Sequence, residues 1–296
     1  MYEGFDRIEV PTSDPEVKIV GRTGGTGPPL LLLHGNPLSH LSRHRVAPRL
    51  AESFTVVATD LRGYGDSSKP RGTSDHGNYS FRRMAQDQVD VMASLGFEHF
   101  FVAGHDRGAR TVFRMALDHP HRVGKAAFLD ILPTHHVWTH INRPWAINSY
   151  HWLFMAQPYD FPERLLRGHE EYYIRSKLMK QGLGKGGFTE EELREYVRLC
   201  TPEYIHGVCE DYRAAATVDF EMDTADFEAG RKIDCPVLVL WGAHSHTEHH
   251  YDPRQAWSRY CSRIVRMQAL PCGHYPSEQA PDDTYRELYQ FFRGDT

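Results

Sequence analysis

Asp106 is the residue of this chain whose surroundings most strongly suggest chemistry. It lies in residues 104–110 (GHDRGAR), between the apolar run 99–103, typical of a strand, and residues 111–117, typical of a helix. A reactive side chain on a sharp, glycine-flanked turn between a strand and a helix is the geometry of a nucleophile elbow. The pattern therefore predicts that Asp106 faces a substrate. The alternative is that it only caps the helix that follows.

A carboxylate changes what such a turn can do, because the usual elbow carries serine. A carboxylate is a poor nucleophile for acyl transfer, since the anhydride that it would form is unstable. It can instead displace a leaving group from a saturated carbon, which gives an alkyl ester of the protein that water then cleaves. Asp106 therefore predicts a displacement in two steps.

Asp130 and His274 are the candidate partners of this nucleophile. Asp130 follows the strand-like residues 126–129, and His274 lies in residues 271–275 (PCGHY), just past the last predicted strand. With Asp106 they give the chain order nucleophile, acid, histidine, which is the order of the α/β-hydrolases. We expect His274 to take a proton from water and Asp130 to orient it.

The segment after the predicted strand 236–242 offers an alternative to this assignment. Its first carboxylate, Glu248, could replace Asp130 as the acid. Four histidines, at 244, 246, 249 and 250, could suggest a metal site, but no clear set of further ligands accompanies them. We interpret this run as a solvated loop and expect neither a metal nor an organic cofactor.

Two further groups are expected beside the elbow. Residues 34–37 (HGNP) follow the predicted strand 30–33 and would bring the Asn36 amide next to it, where that amide and the Arg107 amide could form an oxyanion hole. The Arg107 and Arg110 guanidinium groups, one helical turn apart, could clamp a substrate carboxylate. Alternatively, they pair only with acidic neighbours.

Predicted strands alternate with helices on either side of a long helical stretch. The sequence from about 134 to 215 is rich in aromatic residues, contains no convincing strand, and has a capping box at Thr189 and Glu192. We therefore expect a mostly parallel sheet with helices on both faces, the α/β-hydrolase fold, formed by residues 1–133 and 216–296. Residues 134–215 are expected to form a helical cap. The strand-like runs are 8–10, 17–20, 30–33, 54–59, 99–103, 126–129, 236–242 and 264–270.

Composition excludes several classes of function. The chain has 296 residues and a net charge of −5, and its Lys and Arg are scattered, which argues against nucleic-acid binding. No apolar run approaches the length of a membrane span, and the N-terminus does not resemble a signal peptide. The five cysteines show no CxxC spacing, as expected for reduced thiols. We therefore expect a cytoplasmic protein that acts on a small molecule, with no nucleic-acid or membrane partner.

Several motifs together resemble one family. Residues 104–110 and 128–134 (FLDILPT) closely resemble the fluoroacetate (haloacetate) dehalogenases of the α/β-hydrolase superfamily, as do residues 60–65 (DLRGYG). In the predicted cap, residues 151–152 (HW) and 210–214 (EDYRA) also match. The likeness spans nearly the whole chain. Each motif alone would be weak evidence for the family, but the match of all of them together is specific.

The resemblance assigns roles and a substrate class. It implies that the elbow aspartate attacks the carbon that bears fluorine, that Arg107 and Arg110 hold the substrate carboxylate, and that the product is a hydroxy acid such as glycolate. It also implies a homodimer. Three cap residues would donate hydrogen bonds to the departing halide: His151, Trp152 and Tyr212. Fluoride has a compact charge and is a poor leaving group, so fixed N–H and O–H donors must replace its hydration.

One position departs from the family pattern. The third residue of the family's His-Gly-x-Pro motif is usually aromatic, and here it is Asn36. An asparagine there resembles the haloalkane dehalogenases, in which it helps to hold the halide, but those enzymes usually have Trp where this chain has Arg107. The halide preference therefore stays open.

Two other functions compete with dehalogenation. An epoxide hydrolase would use the same aspartyl ester, and lid tyrosines would protonate the leaving oxygen; Tyr212 is one candidate, with Tyr150, Tyr172 or Tyr173 as a second. The arginine pair argues against it, because a neutral epoxide offers two guanidinium groups nothing to bind. A non-catalytic receptor for a small carboxylate is the other alternative, but a receptor has no need of an intact nucleophile, acid and histidine.

Overall fold

The apolar runs of the sequence form one central sheet. The computed structural model describes residues 1–181 and 187–294, and within them eight strands pair in the order β1-β2-β4-β3-β5-β6-β7-β8. The strands β1, β2 and β4 pair antiparallel, whereas all other neighbours in the sheet pair parallel. The predicted mostly parallel sheet is thus confirmed. The strands are β1 (Asp6–Pro11), β2 (Lys18–Gly24), β3 (Pro29–Leu33), β4 (Thr55–Thr59), β5 (Phe100–His105), β6 (Val123–Leu129), β7 (Val237–Gly242) and β8 (Ile264–Leu270).

Successive side chains of the central strands enter two different cores. In β3, Leu31 and Leu33 belong to one apolar cluster, and Leu30 and Leu32 belong to another on the opposite face. This alternation is the period of two that a pleated strand imposes, and a strand buried on both faces is apolar throughout. The continuous leucine run therefore predicts a central strand, and β3 is one.

Helices cover both faces of the sheet and form the insertion between β6 and β7. The first cluster includes side chains of α2 and α3, and the second includes side chains of α1 and α15. The capping box predicted at Thr189 is present at the start of α9. The helices are α1 (Ala47–Leu50), α2 (Phe81–Ser94), α3 (Arg107–Asp118), α4 (Thr134–Thr139), α5 (Arg143–Asn148), α6 (Tyr150–Met155), α7 (Phe161–Leu166), α8 (Glu170–Gln181), α9 (Glu190–Leu199), α10 (Pro202–Ala216), α11 (Val218–Glu228), α12 (His246–His250), α13 (Pro253–Ser258), α14 (Pro276–Gln279) and α15 (Pro281–Arg293), with short 3₁₀ helices at His40–Arg43 and Gly77–Tyr79.

The strand order places a topological switch point at β3, because β4 lies on one side of β3 and β5 on the other. The register pairs Leu33 with Gly104 and His105 with Leu129, so that the loops after β3, β5 and β6 leave the sheet at the same edge. Open α/β sheets bind ligands at this edge, next to the switch point. The sheet thus brings the candidate site residues together from distant parts of the chain.

The insertion between β6 and β7 holds the helices α4 to α11. Of the eleven large apolar side chains that are exposed in the described residues, nine lie between 141 and 179, in this insertion. The cap boundaries at 134 and 215 stay a prediction.

All five cysteines are free thiols. In the described parts of the chain, no helix combines the length and the apolar composition needed to cross a bilayer.

Candidate active site

Asp106 occupies a strained turn between β5 and α3. Its backbone has φ 48° and ψ −117°, a conformation that non-glycine residues rarely adopt, and its side chain makes no capping hydrogen bond to α3. A Cβ atom added to Gly108 would lie 2.3 Å from the carbonyl oxygen of His34, so only glycine lets α3 approach the end of β3 this closely. The elbow geometry that the glycines predict is present, and the capping alternative is wrong.

His274 lies between the two aspartates. Its Nδ1 is 2.6 Å from Asp130 Oδ2, and its Nε2 is 3.7 Å from Asp106 Oδ2. Asp130 is itself held, because Ser245 Oγ and the Gly242 amide donate to its Oδ1 over 2.6 and 3.0 Å. This arrangement orients the imidazole with Nε2 toward the elbow, as a general base would require.

The alternative acid is held elsewhere. The Glu248 carboxylate accepts a hydrogen bond from the indole N–H of Trp241, and its side chain is exposed. The geometry therefore favours Asp130 over Glu248 as the partner of His274.

The electrostatics keep Asp106 ionised. Burial alone would raise the pKa of its carboxyl group, but nearby His274, His105 and Arg107 and the Asn36 amide outweigh burial and hold this pKa well below its usual range. Burial would lower the pKa of His274, but the hydrogen bond and charge of Asp130, with the charge of Asp106, raise it above the usual value. Asp106 is therefore an anion at neutral pH, as a nucleophile would need to be.

The Asn36 amide is a candidate oxyanion donor. Its backbone N–H donates to Asp106 Oδ1 over 3.0 Å. A Cβ atom on Gly35 would lie 2.4 Å from Asp106 Cβ, so glycine is what lets this loop reach the carboxylate. The Arg107 amide begins α3, where backbone N–H groups have no partner within the helix. The Asn36 and Arg107 amides are thus the two oxyanion donors that the sequence predicts.

The two arginines of the elbow helix are placed differently. Arg110 lines the cavity in front of Asp106, and its Nη1 donates to Thr134 Oγ1 over 2.9 Å, while its buried Nε has no hydrogen-bond partner among the described residues. Burial and the neighbouring charge of Arg107 lower the pKa of Arg110 to about 10. Arg110 is therefore still a cation at neutral pH, with an N–H available for a substrate carboxylate.

Arg107 is fully buried and pairs with Asp211 of the cap helix α10. Its Nε donates to Asp211 Oδ2 over 2.8 Å, and its Nη2 donates to the same carboxylate. Its Nη1 is buried without a hydrogen-bond partner in the described parts of the chain. The guanidinium lies over the Tyr212 ring, 4.2 Å from the ring centre. Arg107 thus pairs with an acidic neighbour, as the alternative expected, and keeps one N–H group unpaired.

The three predicted halide donors come together from two cap helices. His151 and Trp152 lie on α6 and line the cavity, and Tyr212 lies on α10. The His151 and Tyr212 ring centres are 5.7 Å apart, and those of Trp152 and Tyr212 are 5.9 Å apart. Burial lowers the pKa of His151 well below its usual value, so its ring is neutral and donates from one nitrogen.

The Asn36 side chain lies between two tyrosine hydroxyl groups. Tyr204 donates to Asn36 Oδ1, and Asn36 Nδ2 donates to the Tyr212 hydroxyl oxygen, each over 3.1 Å. Because the Tyr212 oxygen accepts from Asn36, its own hydrogen is available to another acceptor. Asn36 thus orients a candidate halide donor, a contact between residues 176 positions apart that the sequence does not predict.

The cavity in front of Asp106 is small. Its volume is about 60 Å³, so it admits only a few heavy atoms. Asp106, Arg110 and His274 line it, and so do residues that the sequence analysis missed. Among these, Tyr251 is notable because its hydroxyl is buried without a hydrogen-bond partner in the described structure. The other wall residues are Asp130, Ile131, Leu132, Val137, Trp145, Ser149, His151, Trp152, His246 and Thr247.

The interpretation of the histidine-rich run at 244–250 as a solvated loop is only partly right: His244 and His249 are exposed, but residues 246–250 form the helix α12. Ser245 caps the short helix α12 by accepting a hydrogen bond from the Thr247 amide, which turns His246 and Thr247 toward the catalytic cavity. The signal that could have found this is the position of the run, directly after a central strand, where the site must lie.

One cluster of described residues has ligand atoms close enough to hold a metal ion, namely Glu163, His206 and Glu210. The Arg213 guanidinium lies among them, with Nη1 2.8 Å from Glu163 Oε1 and 2.6 Å from Glu210 Oε1. A buried guanidinium already neutralises these carboxylates, so we assign an ion-pair network here and no metal site.

Comparisons with known proteins agree with this geometry. A family model of the α/β hydrolase fold matches residues 28–281. An α/β-hydrolase-type protein of Nostoc sp. PCC 7120 has a crystal structure that superposes with a TM-score of 0.96 at 48% identity, covering 100% of both chains. The chain therefore belongs to the α/β hydrolase fold family, and the predicted fold is confirmed.

Two curated relatives narrow the class. The chain is 44% identical to a fluoroacetate dehalogenase of a Burkholderia species, over 98% of this chain and 95% of the relative. It is 32% identical to a soluble epoxide hydrolase of Corynebacterium sp. (strain C12), over 91% of this chain and 92% of the relative. Within its fold family the chain is thus a relative of the fluoroacetate dehalogenases. The family recognised from its motifs, and with it the hydrolase class, is confirmed.

Proposed function

We propose that this chain hydrolyses the carbon–halogen bond of a small 2-haloacid such as fluoroacetate and releases the hydroxy acid, glycolate in that case. One observation carries the proposal: an ionised aspartate on a strained elbow faces a cavity of a few atoms, opposite an arginine and next to neutral N–H donors. The 44% identity to a fluoroacetate dehalogenase supports the same substrate class.

In the first step, Asp106 attacks the α-carbon of the substrate. The Asn36 amide holds Oδ1, so Oδ2 forms the new C–O bond while the carbon–halogen bond breaks and the halide leaves with its electron pair. Arg110 holds the substrate carboxylate, and the unpaired Nη1 of Arg107 is a second donor for it. His151, Trp152 and Tyr212 would donate to the halide.

In the second step, water cleaves the aspartyl ester. His274 Nε2 takes a proton as the water oxygen attacks Cγ of Asp106, and the Asn36 and Arg107 amides stabilise the charge that develops on Oδ1. The bond between Cγ and Oδ2 then breaks, His274 returns its proton to the departing Oδ2, and the hydroxy acid leaves. The second proton of the water is lost from the new carboxyl group, which restores the Asp106 carboxylate. Esterification removes the charge of Asp106, which otherwise raises the pKa of His274, so this pKa falls at the stage when the imidazole is needed as a base.

The experiment that tests this proposal measures fluoride release from fluoroacetate with a fluoride-selective electrode. Hydrolysis of chloroacetate and of styrene oxide is measured in parallel. We expect fluoride release by the wild type and a loss of about 10⁴-fold or more in Asp106→Asn, because the nucleophile is gone. The exposed Asp75→Asn is the matched control. Turnover of chloroacetate alone would keep the mechanism and assign a different halide preference to the pocket. Hydrolysis of styrene oxide alone would overturn the proposal.

Epoxide hydrolysis is the second candidate, because an epoxide hydrolase is among the relatives. That reaction must protonate an alkoxide, which is far more basic than fluoride. Burial, with the charge of Asp106, raises the pKa of Tyr212 above its usual value, so this hydroxyl donates a hydrogen bond more readily than it gives up its proton. Tyr150, Tyr172 and Tyr173 line a different cavity from Asp106. Both observations favour halide over epoxide oxygen as the leaving group.

The homodimer and the cytoplasmic location stay predictions. The exposed apolar side chains between 141 and 179 favour a second copy of this chain as their cover.

A further inference from the structure

A second cavity lies in the cap. It has a volume of about 460 Å³ and is formed mainly by residues of α6, α7 and α8. His151 lines both this cavity and the one in front of Asp106, so the two spaces adjoin at this residue. Nothing in the proposed reaction uses the second space.

The charge of this second cavity is unusual for the chain. The protein has 39 acidic residues and a net charge of −5, yet none of the described residues that line this cavity is acidic. The cavity beside Glu163 has four carboxylates in its wall, together with three Lys or Arg side chains. In the second cavity the charged residue is Lys177, which is 9% exposed. The cavity is therefore electropositive, which favours an anion.

Lys177 lies at the inner end of the cavity, next to the proposed halide donors. Its Nζ is 5.9 Å from the centre of the Tyr212 ring. Its charge also contributes to the lowered pKa of His151, as expected for close neighbours. An anion that leaves the catalytic cavity past His151 would thus move toward an ammonium group.

Tyr173 provides a second polar group in the same wall. Its hydroxyl is buried and has no hydrogen-bond partner among the described residues. Burial raises the pKa of this phenol well above its usual value, so it remains a neutral donor. A buried donor without a partner beside a buried ammonium group is an arrangement that a small anion satisfies.

We propose that the cavity formed around Lys177 and Tyr173 binds a small monovalent anion and lies on the path by which one reaches or leaves Asp106. The anion is either the halide product or the carboxylate of a substrate molecule, which share this chemistry. The role on the path rests on the proposed dehalogenation, whereas the binding of the anion does not.

Bromide is the probe, because its anomalous scattering locates it in crystals. Crystals of Asp106→Asn, which cannot turn over, are soaked in sodium bromide, and bromide inhibition of the wild type is measured at constant ionic strength. We expect a bromide ion at Lys177 Nζ. In Lys177→Met that ion should be absent and the bromide inhibition constant should rise about tenfold or more, because a charge-assisted contact is lost. Lys177→Arg keeps the charge and should retain the ion, and Tyr173→Phe should weaken inhibition by a smaller factor.

Competition identifies the source of the anion. If chloride displaces the bromide at Lys177 and acetate or glycolate does not, the site serves the halide product; displacement by the carboxylates assigns it to substrate. No bromide at Lys177, or bromide that persists in Lys177→Met, would overturn the proposal. Absence of fluoride release with bromide still bound at Lys177 would refute the proposed reaction and leave the anion site standing.

Discussion

The core half and the cap half of the active site are built in different ways. Asp106 and Asp130 follow neighbouring parallel strands, and both have a left-handed backbone, with φ of 48° and 47°. The cap half depends on the six-residue helix α6, which carries His151, and on the middle of α10, which carries Tyr212. The core thus positions charge through strand register, whereas the cap positions neutral donors through side-chain packing. In the proposed reaction, the core half makes the bond to carbon and the cap half receives the departing halide.

His274→Asn tests the core half with the largest expected effect. Without a base, the aspartyl ester should form and persist, so turnover should fall by about 10³-fold or more. Intact-protein mass spectrometry after addition of fluoroacetate should show an adduct with the mass of a carboxymethyl group. The same protein without substrate is the control. An unmodified mass after substrate would contradict the role of His274 as the base.

Asp211→Asn tests the ion pair that joins the two halves. Arg107 belongs to the core helix α3 and Asp211 to the cap helix α10, and both side chains are fully buried. Removing one partner of a buried pair leaves an uncompensated charge, so the free energy of unfolding should fall by about 3–5 kcal/mol in urea titrations. Glu190→Gln, which breaks an exposed pair with Arg175, should leave the free energy of unfolding nearly unchanged, because solvent screens that pair. Equal losses in the two variants would mean that the buried pair does not join the halves.

Tyr212→Phe tests the cap half. It removes one hydrogen bond to a charged leaving group, so kcat/KM for fluoroacetate should fall roughly 10- to 100-fold. Chloroacetate should lose less than about tenfold, because chloride is a better leaving group and a weaker acceptor. Tyr289→Phe on α15 is the matched control. The same factor for both substrates would show that Tyr212 does not act on the halide.

The smallest expected effect is a change in the pKa of His274. The charge of Asp106 raises this pKa, so Asp106→Asn should lower it. The imidazole should then lose its proton at lower pH than in the wild type, which NMR titration of the ring protons would follow. A pKa that stays in place, or that rises, would contradict the coupling between the two residues on which the second step depends.

The same contrast explains what could be predicted from the sequence. Asp106, Asp130 and His274 each follow a strand-like run, and flanking glycines mark the elbow, so a local pattern suffices to place them at one edge. The contact of Arg107 with Asp211 and that of Asn36 with Tyr212 join residues 104 and 176 positions apart. A local sequence pattern cannot predict these two contacts, because they form only when the cap packs on the core.

Tyr251 and His246 show the same limit. Tyr251 lies in a segment without a distinctive motif, and His246 lies in a histidine run whose composition does not indicate its role. Each lines the cavity because the chain after β7 returns across the carboxyl ends of the strands. The cap residues His151, Trp152 and Tyr212 were named through family resemblance alone, since an aromatic cluster on helices is usually only packing. Their convergence near Asp106 is a property of the folded chain.

The Asn36 side chain gives the pocket a fixed polarity. A hydroxyl group or a water molecule can reverse its role by a small rotation, but a carboxamide has donors at one end and an acceptor at the other. Asn36 is 2% exposed and holds a tyrosine at each end, so reversing it would require both contacts to break at once. The direction in which Tyr212 offers its hydrogen is therefore set when the chain folds. No reorientation has to accompany the development of negative charge on the leaving atom during each turnover.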